Sequence, residues 1–380
     1  MSRDLIVFGE DWGSLPSSTQ HLIKYLAKQR KVVWVNSIGL RRPDFSRHDI
    51  KRIFNKLFGT KARSLPIKKT SKLPGKNFHI VYPRTFPAPR STIGRWLAAK
   101  LLVSQIKPVT RAAGLTRPIL WISLPTAVDV AGQLDESALI YYCGDDFSAL
   151  AGVDHTTVAK REHELIKKSD LILAASEQLA QRLPEETTRL LPHGVDFSLF
   201  STPALRAEDL PNDGRPIAGF YGSISDWLDI DLLCKTIVRM PHWHFVFIGK
   251  QVVDTGALSK FNNVHLLGEL SHQQLPSYSQ HWTASLLPFK DNAQIRACNP
   301  LKLNEYLAAG SPIISTPFPA LKPFQEVLQI VNNSDEMVNA LEVSEKMKNL
   351  KSLSDASRKT VVKNSWSARA QQVSQWMETI

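Results

Sequence analysis

Two open, doubly wound α/β domains in tandem are what the sequence predicts, and three observations carry that reading. Short apolar runs of strand length recur along the 380 residues. Stretches of helical period lie between them. The alternation lapses once, over residues 198–215, and then starts again. At about 150 residues per domain, the length suits two.

The elements follow in order. The run Leu5–Phe8 is short and apolar, as a strand buried on both faces should be. A polar loop leads to a helical stretch from Ser18 to Lys28, and then to Val32–Val35. Strand, helix and strand within 35 residues make a βαβ unit, so the first sheet is expected to be parallel. Further strands are read at His79–Tyr82, Ile119–Ile122, Leu139–Tyr142 and Leu171–Ala174, with helices at Val158–Lys168 and Glu177–Gln181. The stretch from Ser198 to Arg215 holds Pro203, Pro211, Asn212, Asp213 and Gly214 and reads as a linker. The second series runs Ile217–Tyr221, a turn at Gly222, a helix Asp229–Val238, and His244–Ile248 ending at Gly249. It continues with Val264–Leu267, a helix from Leu275, Ala284–Leu287, a helix Leu301–Ala309 stopped by Gly310, and Pro312–Ser315. The expected domains are 1–200 and 216–364, with 201–215 between them and a closing helix over 365–380. Sheets of this kind bind ligands beyond the carboxyl ends of their strands, which points to a cleft between the domains. The fold alone names no chemistry.

Composition excludes several classes. With 43% hydrophobic and 22% charged residues the chain is neither disordered nor a coiled coil. No run approaches the 18 uncharged apolar residues of a membrane span. The first residues, with Glu10 and Asp11 close behind Phe8, do not read as a signal peptide. Three scattered cysteines, Cys143, Cys234 and Cys298, have no zinc spacing and read as thiols of a cytosolic protein.

The net charge of +12 is local. Residues 51–117 hold 16 Lys and Arg, no Asp or Glu occurs between Ile50 and Val128, and the rest of the chain is net −4. One-signed charge implies an anionic partner: membrane lipid, nucleic acid or a phosphorylated substrate. Within that window Ile53–Phe58 and Ile93–Leu102 mix apolar anchors with cations, the composition of a helix lying on anionic lipid. The competing readings are a nucleic-acid face and a plain solvated one. The membrane surface is preferred, with no nucleic-acid partner expected.

The most specific segment is Asn299-Pro300-Leu301-Lys302-Leu303-Asn304-Glu305-Tyr306-Leu307-Ala308-Ala309-Gly310-Ser311-Pro312-Ile313-Ile314. Pro300 suits a helix's first turn, and Gly310 its stop. Lys302 and Glu305 share one face near the helix N-terminus. Free N–H groups beside a lysine suit phosphate, and a carboxylate one turn on suits a ribose diol. A surface Lys–Glu pair has the same spacing.

This segment resembles the donor-binding signature of GT-B glycosyltransferases of the family 4 type, P-x-K-x-x-E-Y-x-A-x-G-x-P-[VI]-[VI]. Gly219-Phe220-Tyr221-Gly222-Ser223, Phe245–Gly249, Asn263–Gly268 with Leu275–Tyr278, and Pro192-His193-Gly194-Val195-Asp196 resemble other parts of those enzymes. The resemblance implies two Rossmann-like domains facing a cleft, with the C-terminal helix crossing back to the first. It implies that Glu305 holds the ribose of a nucleotide sugar, with Lys302 at the diphosphate or sugar. Gly222, Ser223 and Gly249 are expected to line the same site, and Arg296 is expected there from its charge alone. The family usually carries a second glutamate eight positions earlier. Ala297 stands there, and the loop after Gly222 has no cation.

A second resemblance is to xanthan-type glucuronosyltransferases. Asp11-Trp12-Gly13-Ser14-Leu15-Pro16-Ser17-Ser18-Thr19-Gln20-His21 is similar to their N-terminal stretch, and Tyr141-Tyr142-Cys143-Gly144-Asp145-Asp146-Phe147-Ser148 to their Y-x-x-x-D-x-x-S. It implies Asp145 as the base that deprotonates the acceptor hydroxyl, with Ser17, Ser18 and His21 near the acceptor. A cap or turn role for Asp145 stays open, as does Asp146 as the base. Asp226, Asp229 and Asp231 include a D-x-D, but at a helix start, where acids cap; no metal is expected.

The reading is therefore a metal-independent, hexosyl-type glycosyltransferase of polysaccharide biosynthesis. It needs no cofactor beyond its nucleotide-sugar co-substrate, a UDP-sugar by expectation. Its expected partners are a lipid-linked saccharide acceptor and the inner face of the cell membrane. The alternatives are a nucleotide-sugar 2-epimerase of the same fold, a non-catalytic membrane-surface protein keeping that fold, and a nicotinamide oxidoreductase. The missing G-x-G-x-x-G argues against the last. Stereochemistry stays open: the family 4 resemblance implies retention, and an Asp145 base implies inversion.

Overall fold

The computed structural model describes residues 3–13, 17–38, 73–86, 90–147, 154–347 and 350–380. The chain divides into two compact units, Met1–Pro192 with Arg369–Ile380, and His193–Ala368.

The first unit holds a seven-stranded sheet. Its strands are β1 (Leu5–Phe8), β2 (Val32–Val35), β3 (Phe78–Val81), β4 (Ile119–Ile122), β5 (Ala138–Cys143), β6 (Leu171–Ala174) and β7 (Thr188–Leu190). Their order is β3-β2-β1-β4-β5-β6-β7, and every pair is parallel. In the centre Leu5 stands opposite both Val32 and Ile119, and all four residues of β1 are fully buried. Continuous apolar strands are what a sheet covered on both faces requires. The flanking helices begin at polar caps: Ser17 for Ser18–Leu26, Ser91 for Thr92–Ala112 and Asp154 for His155–Lys168. Each cap side chain accepts a backbone N–H that the first turn leaves unpaired.

The second unit repeats the plan. Its strands are β8 (Ile217–Tyr221), β9 (His244–Ile248), β10 (Val264–Gly268), β11 (Ala284–Leu287), β12 (Ile313–Ser315) and β13 (Gln329–Ile330). The order is β10-β9-β8-β11-β12-β13, again all parallel. Both sheets therefore reverse direction beside their first strand, at β1/β4 and at β8/β11. In such sheets that switch point is where ligands bind. The helix Leu301–Ala309 runs from Pro300 to Gly310, and the Arg358 guanidinium closes it by donating to the carbonyls of Ala308 and Ala309 at 3.1 and 3.0 Å.

Two sequence expectations change. The first domain ends at Pro192, not residue 200, because the following segment belongs to the second unit: His193 O accepts from Asn304, Val195 bridges Ser365, and Phe200 is fully buried against Tyr221 and His272. Residues 201–215 are not a free tether. Gln280 donates to Phe200 O and Thr202 O, Tyr278 donates to Asp209 at 2.7 Å, and Leu210 is buried. Proline and glycine mark irregular backbone, and here side chains of the unit satisfy that backbone. The closing helix, Trp366–Met377, begins in the second unit and passes into the first at Arg369. There buried Arg30 donates to Arg3 O at 2.8 Å and to Ser374 Oγ at 2.6 Å.

The strands β7 and β13 and the helices Ser334–Met347 and Lys351–Val361 were not read from sequence. The Ile53–Phe58 segment and Ser148 lie outside the described residues. Among those described, no helix is long and apolar enough to cross a membrane.

Candidate functional site

The second unit assembles a cation at its switch point. Gly222 and Gly249 follow β8 and β9 with φ of +133° and +140°, a backbone that favours glycine. A Cβ on Gly249 would lie 2.1 Å from Gly222 O, and one on Gly222 would lie 2.6 Å from Lys302 Nζ. The two glycines thus let the loops close on each other and leave room for the lysine. Lys302, in the first turn of Leu301–Ala309, sits among three rings. Its Nζ is 5.0 Å from the centroid of Phe220, 4.9 Å from Trp227 and 5.5 Å from Phe289. Each distance is within cation–π range. The ammonium has no hydrogen-bond or ion-pair partner among the described residues. Burial pushes its pKa down to about 8, against the raising influence of Cys298 and Glu305.

One turn further on, Glu305 is 8% exposed and held on both oxygens. Tyr221 donates its hydroxyl at 2.8 Å, and His272 Nε2 lies 2.7 Å from the other oxygen. Tyr306 accepts from Tyr221 N at 3.0 Å. A carboxylate has about four acceptor positions, so the pair fixes Glu305 without exhausting it. Trp227 and Phe289 beside the lysine, and His272 beside the glutamate, were missed by sequence reasoning. Phe220, Tyr221 and Tyr306 lay inside segments that resemble the family, but no role was read for them.

The other donor-site expectations are placed as follows. Ser223 follows Gly222 and is half-buried. Arg296 is engaged elsewhere: it is exposed and forks onto Asp291 at 2.6 and 2.7 Å, a pair that raises its pKa. Ala297 is 3% exposed at the end of the short helix Ala293–Ala297. Asp229 caps Ile230–Ile237, as its position at a helix start suggested. Among the described residues no three His, Cys, Asp or Glu side chains are grouped to hold a metal.

The first unit carries a cluster of acids and hydroxyls at its own carboxyl strand ends. Ser17, the cap of Ser18–Leu26, accepts from Gln20 N at 3.2 Å and donates to the Glu10 carboxylate. Buried Ser18 hydrogen-bonds Tyr142, whose phenol burial pushes up. His21 lies in the first turn, half-buried. Asp145 follows β5 and keeps an exposed face. The protein packed around it, and then the charges of Glu10 and Asp146, push its pKa above the ordinary carboxylate value. Asp146 is different: its side chain is 7% exposed and salt-bridged to Arg182. That occupies Asp146 and leaves Asp145 the freer of the two. Glu10 was not read from the sequence, because nothing local distinguishes it.

No protein-family model matches the chain. A curated protein of Bacillus subtilis (strain 168), which carries the name of a teichuronic acid biosynthesis glycosyltransferase, TuaH, is 24% identical over 245 residues. The match covers 59% of this chain and 61% of that protein, so the chain spans less than two thirds of the relative's length. Among solved structures, sucrose-phosphate synthase from Thermosynechococcus elongatus has a TM-score of 0.69 at 16% identity, covering 99% of this chain and 98% of its own. HepE of Anabaena in complex with UDP-glucose has a TM-score of 0.68 at 13% identity, covering 99% and 100%.

The chain has the GT-B fold. Its two Rossmann-like sheets and the crossing of its last helix are those the sequence predicted. Within the GT-B fold the Gly222–Lys302 cluster lies at the switch point of the second sheet, and the Glu10–Asp145 cluster beyond the strand ends of the first. At these identities the likeness to solved structures is one of fold.

Proposed function

We propose that the protein is a glycosyltransferase that moves a sugar from a UDP-sugar to a saccharide acceptor in polysaccharide biosynthesis. The observation that carries this is the Lys302 ammonium, held against Gly222 by rings alone and one turn from the pinned carboxylate of Glu305. An anion reaching it displaces no carboxylate. The diphosphate would be met by Lys302 and by the backbone at Gly222, Ser223 and Gly249, and the ribose hydroxyls by Glu305. A cation at the leaving diphosphate supplies the charge stabilisation that such a transfer needs, and the reading invokes no metal. Asp145 would be the base, with Ser17, Ser18 and His21 near the acceptor hydroxyl. The name of the Bacillus subtilis relative and the UDP-glucose complex of HepE support a nucleotide-sugar donor. The acceptor we propose is lipid-linked, with the enzyme in the cytoplasm at the inner face of the membrane. With Asp145 as the base for a direct attack by the acceptor hydroxyl, the transfer would be inverting.

The test is thermal unfolding with UDP, GDP, dTDP and ADP, each with EDTA and with Mn²⁺, on wild type and Glu305→Gln. A ligand at a hundred times Kd stabilises by about 2.7 kcal/mol, several degrees in Tm. UDP should give that shift, with or without EDTA, and Glu305→Gln should weaken it at least tenfold in Kd. No shift with any nucleotide would sink the proposal. A shift accompanied by sugar epimerisation and no acceptor requirement would establish the epimerase instead.

A further inference from the structure

The helix Thr92–Ala112 turns two unlike faces outward and inward. Ala98, Ala99, Leu102, Ile106 and Thr110 are buried, as a core-facing stripe should be. Yet Ile93, Trp96, Leu97 and Leu101 are 74%, 58%, 46% and 38% exposed. At about 100° per residue these four fall on one stripe. A single exposed leucine needs no explanation, but a stripe of four that includes a tryptophan does.

The stripe continues as charge. Lys100, Lys107 and Arg111 follow on the same face, and the helix carries no acid. Lys107 reaches Asp135 at 2.9 Å, whereas Lys100 and Arg111 have no ion-pair partner among the described residues. Arg95, on the far side, is spent on Asp129 and Glu164. The neighbouring segment adds aromatic rings. Arg84 is tied to Gln105 through both its backbone groups at 2.9 and 2.8 Å, and Thr85 donates to Ala98 O. Flanking those ties, Tyr82 and Phe86 are 68% and 47% exposed.

We infer that this face, Ile93, Trp96, Leu97 and Leu101 with Lys100 and Arg111, docks the protein on an anionic lipid bilayer. Charge selects the occupant. Apolar side chains enter the acyl boundary while Lys and Arg stay at the headgroups, and Trp and Tyr favour that interface. A protein partner would need acids across the face. A nucleic acid would leave Ile93, Leu97 and Leu101 facing polar phosphate. The inference deepens and rests on the membrane location proposed above, but it uses no donor-site residue, so its test involves no nucleotide and can fail while the donor site holds.

The test is co-sedimentation of the full chain with vesicles of phosphatidylcholine, alone or with roughly one-third phosphatidylglycerol. Wild type should bind the anionic vesicles and not the neutral ones, less so as salt rises. Trp96→Gln with Leu101→Gln should weaken the partition at least tenfold, since both remove apolar anchors. Lys100→Glu with Arg111→Glu should weaken it about tenfold or more and flatten the salt dependence. All four positions are exposed, so both variants should keep the wild-type unfolding midpoint. Equal binding to neutral vesicles, unchanged binding by either variant, or no binding by wild type would each overturn the inference. So would association of wild type with itself through this face.

Discussion

The two sheets have one topology and opposite chemistry. Each places its first strand beside its fourth, and each carries polar groups beyond the carboxyl ends of its strands. In the first unit the groups are Glu10, Asp145, Ser17 and Ser18, where burial and then the charges of Glu10 and Asp146 raise the Asp145 pKa. In the second the group is an ammonium among rings, with its carboxylate held by a tyrosine and a histidine one turn away. The backbone fixes where a site lies, and a few side chains decide its sign. Under the proposed roles, the base lies where burial and neighbouring charge keep a carboxyl basic, and the diphosphate where a cation lacks an ion-pair partner among the described residues.

The sharpest way to break this comparison is Asp145→Asn. Under the proposed roles, transfer should fall by a hundredfold or more while UDP binding stays at the wild-type value. The wild-type rate should drop as pH falls through the raised Asp145 pKa, where the carboxyl takes up a proton and no longer serves as base. A rate unchanged in the variant would remove Asp145 from the chemistry.

Gly249→Ala attacks the second site through the backbone. Its Cβ would meet Gly222 O at 2.1 Å at a φ of +140°. We expect a loss of about 3 kcal/mol or more, read as a fall in Tm, with loss of the UDP-induced shift.

Lys302→Met separates binding from stability. It should weaken UDP about a hundredfold and yet raise the stability of the free protein by about 2 kcal/mol, because an ammonium is no longer confined among rings. The sign also shows in pH. Between about 8 and the ordinary 10.5 the unfolded chain binds this proton and the folded one does not, so wild-type stability should rise with pH there. The variant should lack that slope. Wild-type affinity for UDP should be greatest below pH 8 and fall above it, as the amine loses its charge. The smallest effect is expected from Arg296→Ala. Its exposed pair with Asp291 is of the weak kind, so UDP affinity should change by less than about threefold. A tenfold loss would return Arg296 to the donor site.

How far the sequence reached can be judged element by element. The strands Leu5–Phe8, Val32–Val35, Ile217–Tyr221 and His244–Ile248 were read to the residue, because a strand buried on both faces is an uninterrupted apolar run. The edge strands Thr188–Leu190 and Gln329–Ile330 were not, being three and two residues long and polar in part. Lys302, Glu305 and Gly222 were legible because a motif spaces them along one helix and one turn. His272 and Trp227 were not, since they reach the site from loops far away in sequence.

Local sequence, then, determined the two parallel sheets, the caps, the Gly310 stop and the stretch of helix that mixes apolar anchors with cations. These follow from periodicity and backbone preference, which act over a few residues. Only the tertiary structure decided that Lys302 rests among Phe220, Trp227 and Phe289, that both oxygens of Glu305 are held, that Asp146 is taken by Arg182, and which face of Thr92–Ala112 is bare. The reason is physical. Burial, charge repulsion and cation–π contact depend on distance in space, and Lys302 meets Phe220 and Trp227, each 75 or more positions away in the chain, only when the sheet has brought their strand ends together.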